Sequence, residues 1–174
     1  MATALCALIG AALLVGCAPQ TSSTPTPTPH FTSEQQAYAA AEQTYRNYID
    51  ATNAMVISDP STFEDVYFWE TGDALDSEKK SLTKMHADGW TVAGETKPGQ
   101  VMPGTFSPTD RTIFSLRVCM DVSAVTVRDE SGKSLVRPDR PSIQPLRLEF
   151  DQASTSPTGL LISSIAGDDF ACDG

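Results

Sequence analysis

The chain has 174 residues and a formal net charge of -10, with 40% hydrophobic and 7% aromatic residues. Its acid excess argues against nucleic acid as a partner and against electrostatic adhesion to anionic lipid, because little cationic surface remains to meet phosphate groups. Its length suits one domain behind a short leader and linker.

The leader is an uncharged run of apolar and small side chains over residues 4–15, which matches a signal-peptide core and is too short to span a bilayer. It ends in Leu14, Val15, Gly16 and Cys17. These residues resemble the lipobox of bacterial lipoproteins, in which Leu, a small or branched residue, and Gly or Ala precede the lipidated Cys. The resemblance implies cleavage before Cys17 and a diacylglyceryl thioether, with acyl chains such as palmitate, on that thiol. A protein anchored in this way is expected at the extracytoplasmic face of the cell membrane.

One feature departs from this pattern, because residues 1–3 contain no Lys or Arg where a signal peptide carries a basic segment. We expect the true start to lie upstream of Met1, the alternative being weak export. A second alternative makes residues 4–15 a buried helix and Cys17 a core thiol. Residues 17–31, rich in Thr and Pro, predict an extended tether about 30 Å long. The predicted organisation is therefore a signal peptide over 1–16, a lipidated Cys and tether over 17–31, and one domain over 32–174.

Three helices are predicted at the start of the domain. Thr32 or Ser33, followed by glutamines, predicts an N-cap. The helix behind it extends to about residue 56 and repeats its inward face every three or four residues: Tyr38, Ala41, Tyr45, Tyr48, Thr52 and Met55. Asp59 before Pro60 predicts the start of a short helix. Thr71 or Asp73 opens a third helix, and Gly89 ends it.

Strands follow, because beyond Gly89 the hydrophobic period changes to two. Extended segments are predicted at 90–94, at 101–102 where Pro103 and Gly104 break the strand, at 114–122, at 146–150 and at 160–165. Apolar residues change phase between Val122 and Val125, which indicates a β-bulge or a sharp bend. Residues 129–132 predict a hairpin turn into 135–136, and 137–141 a loop. The fold class is therefore α+β, with N-terminal helices packed on a curved antiparallel sheet of four to six strands.

Four cysteines occur, and two of them, Cys6 and Cys17, belong to the leader and the lipid site. The remaining pair, Cys119 and Cys172, is expected to form a disulfide in an exported domain. Closing a loop of about 54 residues would stabilise the fold by roughly 4 kcal/mol. The alternative is two free thiols.

A family resemblance rests on the first helix with Tyr45, Tyr48 and Asn53, the strand over 118–123 and the hairpin over 129–133. These segments resemble small actinobacterial lipoproteins whose domain is similar to the nuclear-transport-factor-2-like (SnoaL-like) cone. The resemblance implies helices in the mouth of a bent sheet around a cavity. It implies no fixed chemistry, because that fold hosts enzymes and inert binding modules alike.

Three functions follow from these residues. The first is a non-catalytic interaction or scaffold module of the cell envelope, with an envelope protein as partner. The second is a binding module for a small apolar ligand, which would contact Tyr45, Tyr48, Trp69 and Trp90. The third is an isomerase-type or hydrolase-type enzyme, for which Asp121 with Tyr48 is the one acid–phenol pair that the residues offer.

The first function is preferred, with no catalytic residue, metal or cofactor expected. No glycine-rich phosphate loop or Ser-His-Asp set is recognisable in the sequence. His86 is expected to be exposed or hydrogen-bonded rather than a metal ligand. A cone filled by aromatic side chains would favour the scaffold, whereas an apolar pocket holding one carboxylate of shifted pKa would favour catalysis.

Overall fold

The computed structural model of the chain describes residue 31 and residues 33–106 and 114–172. The predicted signal peptide, Cys6, Cys17 and nearly all of the tether lie outside these ranges. No helix within the described ranges is long and apolar enough to cross a membrane.

In the part of the chain that the structure describes, three α-helices precede the strands. They are α1 (Glu34–Ala54), α2 (Phe63–Tyr67) and α3 (Gly72–Ala87), and a 3₁₀ turn over Pro60–Thr62 leads into α2. The N-cap prediction is confirmed at Ser33, whose hydroxyl accepts the N–H of Gln36 at 3.2 Å. Asp59 begins the 3₁₀ turn in the same way, its carboxylate accepting the N–H of Ser61 at 3.1 Å. Each helix therefore starts close to where its residues predict it.

The strands form two antiparallel sheets. Among the described residues the strands are β1 (Thr91–Ala93), β2 (Lys97–Phe106), β3 (Phe114–Asp121), β4 (Thr126–Arg128), β5 (Ile143–Gln152) and β6 (Leu160–Gly167). The larger sheet has the order β2-β3-β5-β6, and β1 pairs with β4 in a separate two-stranded ribbon. The α+β prediction, with N-terminal helices on an antiparallel sheet, is confirmed.

The core lies between α1 and the four-stranded sheet. The helix contributes side chains four residues apart, which is the spacing of one helical face. The sheet contributes alternate residues of β3, β5 and β6. The buried residues from these elements include Ala37, Ala41, Thr44, Tyr45, Tyr48 and Ile49 of α1, Phe114, Leu116 and Val118 of β3, Leu148 and Phe150 of β5, and Leu160 and Ile162 of β6.

Strand β2 corrects one prediction, because it continues through Pro103 and Gly104 instead of ending there. It is an edge strand of the larger sheet, and its pairing with β3 shifts register between Lys97 and Gln100 and again between Pro103 and Phe106. Prolines are tolerated at edges and bulges because no ladder bond is needed from their nitrogen. A glycine is required at position 104 because the backbone passes close to Ser115 of β3. A Cβ atom on Gly104 would lie 2.3 Å from the Ser115 hydroxyl oxygen.

The phase change after β3 is a sharp turn, in which the N–H of Val125 donates to the carbonyl of Val122 at 3.0 Å. The chain then leaves the larger sheet and pairs as β4 with β1. The predicted hairpin turn is confirmed by the bond from the Gly132 N–H to the Asp129 carbonyl, at 2.9 Å.

The predicted disulfide is confirmed between Cys119 and Cys172, whose Cα atoms are 5.7 Å apart. It joins the segment after β6 to the middle of β3. Arg117 supports the same attachment, because its guanidinium lies 4.1 Å from the centre of the Phe170 ring and 3.6 Å from the Asp168 carboxylate. The C-terminal segment is thus fixed at its end as well as through β6.

Candidate functional site

The four aromatic residues predicted to contact a ligand lie in different places. Tyr45 is 1% exposed in the core, and its hydroxyl donates to the carbonyl of Pro98 at 3.0 Å. Trp69 packs against the outside of the core and meets Phe68 edge-on, with ring centres 5.1 Å apart. Tyr48 and Trp90 each line a separate cavity. The structure therefore does not bring the four together around one ligand.

Aromatic side chains occupy the core between α1 and β3 and β5. Tyr38 packs against Phe114 with ring centres 4.8 Å apart, and Phe114 packs against Phe150 at 5.8 Å. Tyr45 and Phe150 are both almost wholly buried in the same cluster. This part of the core is therefore packed with aromatic rings.

The first cavity, which we call the Trp90 groove, has a volume of about 450 Å³. It lies between the end of α3, the β1–β4 ribbon and the loop that leads into β5. Its lining is Met85, Trp90, Val127, Leu135, Val136, Arg137, Arg140, Pro141 and Gln144. Six of these nine residues are apolar, so the groove presents a mainly hydrophobic surface.

Arg140 stabilises one wall of the groove. Its Nη2 donates to the carbonyls of Val122 and Val125, at 2.9 Å in both cases. The turn at the end of β3 is therefore tied to the loop opposite it. Arg137 is exposed and pairs with Asp139 at 2.8 Å. Lys84 lies above Trp90, with Nζ 5.7 Å from the ring centre, at a distance typical of a cation–π contact.

The second cavity, which we call the acidic pocket, has a volume of about 270 Å³ and lies between α1, α3 and β6. Its lining is Tyr48, Glu70, Asp73, Ala74, Ser77, Glu78, Ser81, Ser164 and Ile165. Glu70 precedes α3 and is held at the sheet by its neighbours. The N–H of Thr71 donates to the carbonyl of Ile162 at 2.8 Å, and the N–H of Ile162 donates to the carbonyl of Trp69 at 2.9 Å.

Electrostatics in the acidic pocket favour protonated groups. Burial, followed by the negative charge of Glu78, raises the pKa of Glu70 to about 8. Burial also raises the pKa of Glu78. The pKa of Tyr48 lies well above its usual range because the hydroxyl is buried and both glutamates are near. Glu70 is therefore mostly protonated at pH 7.

Asp121, the acid paired with Tyr48 in the sequence, does not line this pocket. Its carboxylate accepts the N–H of Ser123 at 2.8 Å. The hydrogen bonds from Ser123 lower the pKa of Asp121, so this group stays charged at neutral pH. The carboxylate of shifted pKa beside Tyr48 is Glu70 instead.

One feature of the sequence does indicate this pocket, namely an acid on the buried face of α3. Glu78 stands four residues from Ala74 and four from Leu82, and both of these are buried. Helical spacing places all three on one face of α3, so a glutamate on the buried face could have been found. Glu70 carried no such signal, because its burial follows from the pairing of residues 69–71 with β6.

His86 is exposed, and its Nδ1 donates to the carbonyl of Ile57 at 2.8 Å, as expected for a hydrogen-bonded surface histidine. Within the described ranges, no three His, Cys, Asp or Glu side chains stand close enough to hold a metal ion. The chain matches no protein-family model, and no curated protein matches it. The nuclear-transport-factor-2-like resemblance stays a prediction.

Proposed function

We propose that the protein is a lipid-anchored, extracytoplasmic module of the cell envelope, and that it binds an apolar segment of a partner protein in the Trp90 groove without catalysis. The observation that carries this proposal is the groove itself, a mainly hydrophobic depression of about 450 Å³ at the surface. The interior that a ligand-processing cone would need is occupied by Tyr45, Phe114 and Phe150.

The groove has the features of a protein-binding hot spot. Tryptophan is among the residues that contribute most to binding at interfaces, and Trp90 lines the groove together with five other apolar residues. Leu135, on one side of the groove, leaves 37% of its surface in solvent. Burying Trp90 and Leu135 under a partner's side chains would remove this apolar surface from water.

Anchoring rests on the sequence. The lipobox-like residues 14–17 and the Thr/Pro-rich segment after them would hold the domain about 30 Å from the bilayer. At that distance the groove could reach other envelope proteins. The net charge of -10 supports contact through apolar side chains rather than through anionic lipid or nucleic acid.

A small apolar ligand is the second candidate, because a volume of about 450 Å³ is also within the range of small-molecule sites. The two candidates differ in what occupies the groove. A partner protein would leave the isolated domain empty, whereas a tightly held small ligand would be purified with it. Native mass spectrometry of the mature domain therefore separates them.

The deciding experiment places a photo-crosslinking amino acid at Leu135 in the full chain, expressed in its own cells. The matched control carries the same amino acid at Lys80, which is exposed on α3 and lines neither cavity. We expect one protein to be crosslinked from position Leu135 and not from position Lys80. This crosslink should disappear when Trp90→Ala is combined with the substitution at Leu135. The same crosslinked proteins from both positions, or none from Leu135, would contradict the proposal.

A further inference from the structure

The acidic pocket contains an uncompensated polar group. Glu70 is only 3% exposed, and both of its carboxyl oxygens are buried without a hydrogen-bond partner. Buried polar groups in folded proteins almost always have partners, because desolvating them otherwise costs free energy. A glutamate in this state indicates that the pocket is built to receive a partner.

The lining of the pocket defines the chemistry of that partner. Three of its residues are acids, namely Glu70, Asp73 and Glu78, and none of the described residues that line it is Lys, Arg or His. Ser77 and Ser164 add hydroxyl groups, which accept hydrogen bonds as well as donate them. An occupant with several N–H donors and a positive charge would satisfy both the carboxylates and the hydroxyls.

We propose that the acidic pocket binds the primary ammonium group of a small organic amine, with Glu70 and Glu78 as its counter-charges. The site is separate from the Trp90 groove, and the proposal goes beyond the function assigned to that groove. A volume of about 270 Å³ accommodates a short alkylamine with its hydrocarbon chain. The apolar side chains of Ala74 and Ile165, on the lining, are available to contact that chain.

Other classes of ligand fit the site less well. A divalent metal ion requires several ligands at short distances, and the described residues contain no cluster of three acids or histidines close enough to provide them. An anion would find no positively charged side chain among the described residues that line the pocket. A purely apolar molecule would leave the oxygens of Glu70 as they are, buried and unpaired.

Binding must be coupled to protons, because Glu70 has a pKa of about 8 in the folded protein. The titratable groups that face it are Tyr48 from α1, Tyr67 from α2, and Asp73 and Glu78 from α3. None of these carries a positive charge, so none can compensate a deprotonated Glu70. An ammonium ion that pairs with the Glu70 carboxylate displaces its proton. The affinity should therefore rise about tenfold for each pH unit from pH 5 to pH 7, and less steeply up to pH 8.

The experiment is an NMR titration of the ¹⁵N-labelled mature domain with n-butylammonium chloride, at several pH values and constant ionic strength. We expect saturable shifts of amides in 70–81 and 164–165, with the rise in affinity of about tenfold per pH unit from pH 5 to pH 7. n-Butanol, which has the same hydrocarbon chain and no charge, is the neutral control and should give no saturable shift. The Glu70→Gln variant should bind at least tenfold more weakly than the wild type at pH 8, should match it more closely at pH 6, and should lose most of the pH dependence.

Two further variants distinguish loss of the site from misfolding. Ser77→Leu places a larger side chain in the pocket and leaves all three acidic residues in place. This variant should not bind butylammonium, and its amide signals outside the pocket should stay as in the wild type. Glu64→Gln removes an exposed glutamate outside the pocket and should bind as the wild type does. Trp90→Ala should also bind butylammonium normally, so this test and that of the groove can fail independently.

A second probe, Nα-acetyl-lysine methylamide, identifies the source of the ammonium group. If butylammonium binds, the natural ligand is a free amine. If only the lysine derivative binds, the site still recognises an ammonium group, and that group belongs to a lysine side chain of another protein. The proposal is overturned if neither amine gives saturable shifts at pH 8. It is equally overturned if butanol binds as well as the amine, or if Glu70→Gln leaves the affinity unchanged.

Discussion

Glu70 should make the stability of this protein fall as the pH rises through the neutral range. Burial, together with the charge of Glu78, raises its pKa from 4.5 to about 8 in the folded state. In the unfolded chain the carboxyl ionises near its ordinary pKa. Between pH 4.5 and pH 8 the folded protein therefore binds more protons than the unfolded one, and the free energy of unfolding decreases with pH.

The magnitude follows from the size of the shift. One pKa unit corresponds to about 1.4 kcal/mol, so a rise from 4.5 to about 8 removes about 5 kcal/mol of stability across the full window. Most of this loss, about 3 kcal/mol or more, falls between pH 5 and pH 8. The raised pKa of Glu78 acts in the same direction. Acids with a lowered pKa, such as Asp59 and Asp129, titrate below this window and do not oppose the effect.

The Glu70→Gln variant tests this reasoning, because an amide approximates the protonated acid and does not titrate. The free energy of unfolding is measured with urea at constant ionic strength. We expect its difference between variant and wild type to grow by about 3 kcal/mol, in favour of the variant, from pH 5 to pH 8. Glu64→Gln removes the same formal charge from an exposed position and should follow the wild-type curve. Parallel curves for wild type and Glu70→Gln from pH 5 to pH 8 would show that Glu70 ionises normally, and the reasoning would be refuted.

Three further predictions concern the disulfide, the core and the anchor. Cys172→Ser opens the bond to Cys119 and should lower the melting temperature by about 10 °C, whereas thiol labelling of both cysteines in the oxidised wild type would contradict the pairing. Tyr45→Phe removes the hydroxyl that donates to the carbonyl of Pro98 and should lower the free energy of unfolding, measured with urea, by about 1–2 kcal/mol. A decrease below about 0.5 kcal/mol would contradict this hydrogen bond. Cys17→Ala should move the full chain from the membrane fraction to the medium or leave unprocessed precursor, and unchanged fractionation would argue against lipidation.

Much of the fold could be predicted because its signals are local. Ser33 and Asp59 cap helices through side chains that reach two or three residues along the chain. The alternation of apolar and polar residues from Phe114 to Val122 is a property of a single strand, so it could be recognised without knowing the strand's neighbours. Strand β2 was mispredicted because Pro103 is compatible with a strand only at an edge, and the order of strands is a property of the whole sheet.

The candidate site was harder to predict, because its chemistry depends on contacts between distant residues. Trp90 was identified as an aromatic contact, but the residues around it come from α3, the β4 hairpin and the loop before β5. Asp121 was the one acid that the sequence offered to pair with Tyr48, whereas the buried acid is Glu70, held by backbone bonds of Trp69 and Thr71 to Ile162. Side-chain pKa values of this kind follow from burial, which one sequence does not specify at an irregular segment.

The most direct test of the proposed function is the affinity of the purified mature domain for the protein recovered by crosslinking from Leu135. Calorimetry should show that Trp90→Ala weakens binding by at least tenfold, as expected for an aromatic hot spot. The matched variant Trp69→Phe changes the other tryptophan of the chain, outside the groove, and should bind as the wild type does. Equal affinities for wild type and Trp90→Ala would contradict the account.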